Sequence, residues 1–67
     1  MYPNLRAEMA RRKITIAILA KFLGKRISTI SAKLNGKSQF TLEECKRIKA
    51  FLETDLPLEV LFRKEVA

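Results

Sequence analysis

The 67-residue chain has no histidine and no tryptophan, a single cysteine, and only two glycines and two prolines. Without histidine it lacks the commonest general base and metal ligand. One cysteine, Cys45, excludes an internal disulfide and, with no histidine to assist it, any cysteine-based zinc site. There is no glycine-rich phosphate loop and no pair of carboxylates in an apolar setting; Glu43-Glu44 is the only adjacent acidic pair. Catalysis, a metal, a cofactor and a small-molecule substrate are therefore not expected. Long apolar runs are missing as well. The stretch from Ile14 to Leu23 is about half the ~20 residues that a membrane span requires, and no cleavage site follows it. A core helix and a cytoplasmic location are expected, with no membrane partner.

Acid is scarce in one half of the chain. Residues 1–37 hold nine Lys or Arg and one acid, a net +8, whereas residues 38–67 hold five bases and six acids, a net −1. The overall charge of +7 suits a polyanionic partner, and its concentration in one half says which half would meet that partner. An apolar share of 48% is that of an ordinary globular protein rather than a disordered one. Sixty-seven residues make one domain, small enough that a partner would add stability. No repeat, low-complexity tract or linker divides it.

The basic half contains the most ordered pattern, Thr15 to Gly36, reading TIAILAKFLGKRISTISAKLNG. Ile16, Leu19, Ala20 and Leu23 fall within one arc of a helix, with Thr15 as its N-cap and Ile14 placed to staple against Leu19. Gly24 stops that helix, because glycine reaches the left-handed conformation without steric cost. A second helix follows, with Ile30 and Leu34 inward and Ile27 at the edge of that stripe, and Asn35-Gly36 closes it. Two short helices joined by a tight turn containing glycine form the pattern of a helix-turn-helix. On the second helix Ser28, Ser31, Ala32 and Asn35 share the opposite face, flanked by Lys25, Arg26, Lys33 and Lys37. A face that is small and polar, edged by positive charge, is built to lie close against something. DNA is the candidate that fits.

At these residues the chain resembles the helix-turn-helix domain of phage Cro and CI-type repressors, the XRE-like family with the lambda repressor-like fold. The resemblance rests on Leu19-Ala20, Leu23-Gly24, Ile30 six residues past the glycine, and Asn35-Gly36-Lys37. The tail FTLEECKRIKAFL and then PLEVLF is similar to the fourth and fifth helices of small repressors from Gram-positive phages. It spans Leu5 to Phe62. Two departures stand out: Lys25 and Arg26 occupy places where the family has a small apolar residue and then Ser or Thr. Ile16 stands where a glutamine often binds a DNA phosphate. The resemblance implies a sequence-specific double-stranded DNA-binding regulator, a repressor acting in a bacterial host by occupying an operator. An interaction module of antitoxin or anti-repressor type on the same fold is the alternative, and a membrane-surface peptide is a third reading that the acidic second half argues against.

Under the DNA reading the helix from about Ile27 to Asn35 enters the major groove, and the preceding helix crosses the backbone. Base-contact candidates are Arg26, Ile27, Ser28, Ser31, Ala32 and Asn35. Ser and Asn can bond base edges, Ala32 can meet a thymine methyl, and Arg26 is the only long candidate for guanine. Phosphate candidates are Thr15, Ile16, Lys25, Thr29, Lys33, Lys37, Ser38 and Gln39. Arg6, Arg11, Arg12 and Lys13 would flank an exposed face of a first helix starting at Pro3, with Leu5, Met9 and Ala10 inward, and would supply one or two further phosphate contacts.

In the second half, Thr41 and Glu44 make a capping box, and Leu42, Cys45, Ile48 and Leu52 share one apolar face that leaves Cys45 chemically idle. Phe40 is read as a core anchor. Ile18 and Phe22 either pack against a fifth helix or form an exposed patch for a partner. Pro57 opens that helix, whose Val60, Leu61 and Phe62, together with Val66, are dimer-interface candidates, two of them expected to face the core. The expected assembly is a homodimer on an inverted repeat, in which Phe62→Asp would break pairing and spare the fold. The expected architecture is all-α: a compact bundle of about five short helices over residues 1–67, with the motif at about 15–36.

Overall fold

A computed structural model describes residues 1–64, within which the chain forms five helices and no strand. They are α1 (Pro3–Arg11), α2 (Ile16–Leu23), α3 (Ile27–Leu34), α4 (Leu42–Leu52) and α5 (Leu58–Leu61). Local chemistry sets most of the boundaries. Pro3 occupies the first turn of α1, where its missing N–H costs nothing. Thr15 caps α2, its hydroxyl accepting from the Ile18 amide at 3.2 Å. Thr41 and Glu44 complete the capping box of α4 in both directions, at 3.1 and 2.9 Å.

Three helices end alike. After α1, α2 and α3 a left-handed residue (Lys13, Gly24 or Gly36) turns the chain back, and two amides return to carbonyls of the last turn. For α2 the bonds are Gly24 N–H to the Lys21 carbonyl and Lys25 N–H to the Ala20 carbonyl, a Schellman closure. Gly24 and Gly36 adopt φ of 69° and 83°, and a Cβ at Gly36 would also strike the Met1 side chain. Lys13 makes the same turn at φ 56° with a full side chain.

The core draws Tyr2, Leu5 and Met9 from the first segment, Leu19, Ala20 and Leu23 from α2, and Ile30 and Leu34 from α3. Ile48 and Leu52 of α4 and Leu61 of α5 complete it. Burying such side chains contributes about 1.5–3 kcal/mol each, and it is this that holds helices too short to stand alone. The described residues close into one body with a radius of gyration of 10.8 Å.

Packing departs from the expected faces in several places. On α1 the residue turned inward beside Leu5 and Met9 is Glu8, while Ala10 is exposed. Glu8 is tolerated because Thr54 donates to it at 2.6 Å and Arg12 at 3.0 Å, with Arg11 also paired to it. On α4 the buried line is Glu44, Ile48 and Leu52; Leu42 is 64% exposed and Cys45 only half-buried. The capping box rotates Leu42, the first residue of the helix, away from the core and brings Glu44 toward it.

Two of the dimer-interface candidates face the core as expected, but one of them is Phe62, which needs correcting. Leu61 is fully buried, and Phe62 meets Tyr2 and Phe40 edge-on, with centroids 6.0 and 5.6 Å away. Both therefore belong to the monomer core, and Phe62 is not a surface position that an aspartate could occupy harmlessly. Val60 is half-buried and its carbonyl accepts from Asn4 at 2.8 Å. Val66 lies outside the described residues. Phe22 packs on α4 rather than on α5, stacked on Phe51 at 4.1 Å, while Ile18 remains 44% exposed.

Candidate nucleic-acid interface

Helices α2 and α3 pack on each other and are joined by the turn Gly24-Lys25-Arg26. The turn and the start of α3 form a continuous exposed strip: Lys25, Arg26, Ile27 and Ser28 are all on the surface. Further along α3, Thr29, Ser31, Ala32 and Lys33 are half-buried. After it Asn35, Gly36, Lys37, Ser38 and Gln39 are exposed again. Ile27 is 55% exposed, so it is not the edge of the inward stripe; that stripe is Ile30 and Leu34 alone. The first turn of a helix lies past the end of the packing face, which frees Ile27 from the core.

The beginning of α2, Thr15 and Ile16, lines a shallow hollow with Arg6 and with Leu34 at the end of α3. Thr15 is exposed and its hydroxyl serves the Ile18 amide, while the amides of Ile16 and Ala17, in the first turn, have no intrahelical partner. Ile16 itself is half-buried against the core, so only its backbone could serve a phosphate.

The cations divide into free and committed. Among the described residues no carboxylate pairs with Lys25, Arg26 or Lys37. Lys33, by contrast, places its ammonium on both oxygens of Glu44, at 2.7 and 2.8 Å, and 5.8 Å from the centre of the Phe40 ring. Its side chain is 13% exposed. Lys33 is thus removed from the set of available phosphate contacts. Burial pushes the Glu44 carboxyl up, but the Lys33 ammonium, the Thr41 amide and the charge of Lys25 outweigh it and hold it below the ordinary value.

The arginines of α1 are committed too. Arg11 and Arg12 pair with Glu8. The Thr54 hydroxyl, foremost, and these two guanidiniums keep the Glu8 carboxyl below its ordinary value against the effect of burial. Arg6 reaches from α1 to the end of α3, donating to the Asn35 side-chain oxygen at 3.0 Å and to the Leu34 carbonyl at 3.4 Å. Arg6 and Glu44 were not singled out for these roles in the sequence, because each partner lies on a different helix. Lys13 is exposed. Cys45 sits beside Glu44 with its thiol pushed up by burial and by that carboxylate, so it is a weak nucleophile.

Among the described residues no helix is long and apolar enough to cross a membrane. Comparison with protein-family models, curated proteins and solved structures finds no match. The reading therefore rests on the geometry. That geometry offers a short polar helix face, cations at both of its ends that pair with no carboxylate among the described residues, and open α2 amides near the end of α3.

Proposed function

We propose that the chain is a sequence-specific double-stranded DNA-binding regulator, a cytoplasmic repressor of phage Cro/CI type that acts by occupying an operator. The observation that carries this reading is the outer face of α3: exposed Ser28 and half-exposed Thr29, Ser31 and Ala32, with Lys25 and Arg26 before it and Lys37 after it, none of the three paired with a carboxylate among the described residues. Helices α2 and α3 would act as a helix-turn-helix, with α3 in the major groove and α2 across the backbone.

Ser28, Asn35 and, at the groove edge, Ser31 would bond base edges, and Arg26 would reach a guanine. Ile27 and Ala32 would meet thymine methyl groups. Lys25, Lys37, Ser38 and Gln39 would hold phosphates, as would Thr29 and the first-turn amides of Thr15-capped α2 at Ile16 and Ala17. One short helix reads only a few base pairs, too few to outcompete roughly a million nonspecific sites. Two chains on an inverted repeat, with recognition helices about one DNA turn (~34 Å) apart, would supply the rest.

Selection from a random duplex pool, followed by footprinting and sedimentation of the complex, tests this. The expected result is an enriched inverted repeat protected by two chains. Retention of all duplexes alike, with no enriched sequence, would defeat the reading.

A further inference from the structure

Glu44 carries two duties that a cap does not require together. One carboxylate oxygen accepts from the Thr41 amide, and both accept from Lys33. Capping needs only the first, and a neutral glutamine would serve it. The second bond spends a negative charge on the only lysine of α3. It also spans two elements, joining Lys33 of α3 to Glu44 of α4 beside the apolar core they share.

We infer that Glu44 is a specificity-determining positioning residue: it holds Lys33 away from the DNA backbone and fixes α3 so that base contacts, not charge, decide where the chain binds. The inference deepens the DNA-binding reading and rests on it. Lysine on a long, flexible stem is a good phosphate partner and a poor reader of sequence. A free lysine on the recognition helix would raise affinity for every duplex. Each extra phosphate contact steepens the dependence of log affinity on log salt by about 0.9. Such a contact multiplies all sites equally, and a last turn held by Leu34 and Arg6 alone has more freedom in how it presents its polar face. Both effects erode discrimination. The pair is nearly buried, with side-chain exposures of 13% and 10%, and the Phe40 ring beside the ammonium further restricts where Lys33 can swing.

Glu44→Gln tests this while keeping the capping box. The probes are the tightest duplex recovered from the random pool and a scrambled duplex of equal length. Against the scrambled duplex the variant should bind on the order of 5- to 10-fold tighter at 0.1 M salt, with a slope steeper by about 0.9. Its preference for the recovered duplex should fall. Glu43→Gln, on an exposed neighbour that pairs with no cation in the described structure, removes the same charge and should do neither. In the double variant Lys33→Met/Glu44→Gln, which leaves no unpaired charge, the slope should return to that of the parent. A purely structural Glu44 would instead lower affinity for both duplexes. That result, an unchanged slope, or an equal gain from Glu43→Gln would overturn the inference and leave the DNA reading standing. A parent chain that retains no duplex even at low salt would remove both.

Discussion

Phe62 touches Tyr2 and Phe40 edge-on, and Tyr2 and Phe40 meet each other at 5.6 Å, so three rings close one end of the core. An aspartate at 62 would set an unpaired charge against two aromatic edges. Phe62→Asp should therefore unfold the chain, and even Phe62→Ala should cost about 2–4 kcal/mol, seen as a lower urea midpoint. A variant that melts like the parent would mean that the ring triad contributes little. At the candidate interface, Asn35→Ala should lower preference for the selected duplex by about 1–3 kcal/mol and leave scrambled DNA nearly unaffected. Loss of affinity for both duplexes equally would move Asn35 from reader to anchor. Its side-chain oxygen already accepts from Arg6, so the amide nitrogen is the freer group to read a base. Thr15, Gly24 and the Thr41/Glu44 box could be read from the sequence because each acts within three or four residues of itself. Lys33 and Arg6 could not. Their partners lie 11 and 29 residues away on other helices, and a charged side chain does not announce which distant group it will find.

At the scale of elements, two carboxylates add polar ties between segments that already share the apolar core. Glu44 ties α4 to α3, and Glu8 ties α1 to Thr54 in the segment between α4 and α5. Both carboxyls are held below the ordinary value of 4.5, so each stabilises the fold fully above that value. As pH falls through 4.5 toward their lowered values, the unfolded chain takes up protons first and the contribution is lost. Urea midpoints should thus be flat from about pH 8 to 6 and decline from about pH 5 downward. In Glu44→Gln the decline should be shallower; an identical profile would show that the pair does not bear on stability. The five helices and their order follow from apolar spacing, caps and the two glycines. The face of α4 did not follow, because the same spacing allows Leu42-Cys45 or Glu44 to lead the stripe. The capping box and the pair with Lys33 both go with Glu44 turned inward. Likewise the left-handed Lys13 ends α1 with no glycine to signal it.

For the whole molecule, fewer cations are free to meet a polyanion than the fourteen in the sequence, since Arg11, Arg12 and Lys33 pair with internal acids. Affinity for duplex DNA should fall linearly with salt on a log–log plot, with a slope of about −3 to −5 per chain, three to five phosphates at ~0.9 each. A slope near zero between low and moderate salt would be incompatible with a backbone-led encounter. Closure of the core has a consequence of its own, in time rather than in energy. Tyr2 packs against Phe62, and Leu5 shares a core with Leu61, so the first-made and last-made turns of the helical body must meet. At synthesis rates of about 5–20 residues per second, Tyr2 waits roughly 3–12 s for its partner ring. Until then the helices before it pack on a core that still lacks Leu61 and the Phe62 ring, and such short helices depend on that packing. A nascent chain would therefore hold the α3 face in its final place only once the segment up to Phe62 has been made.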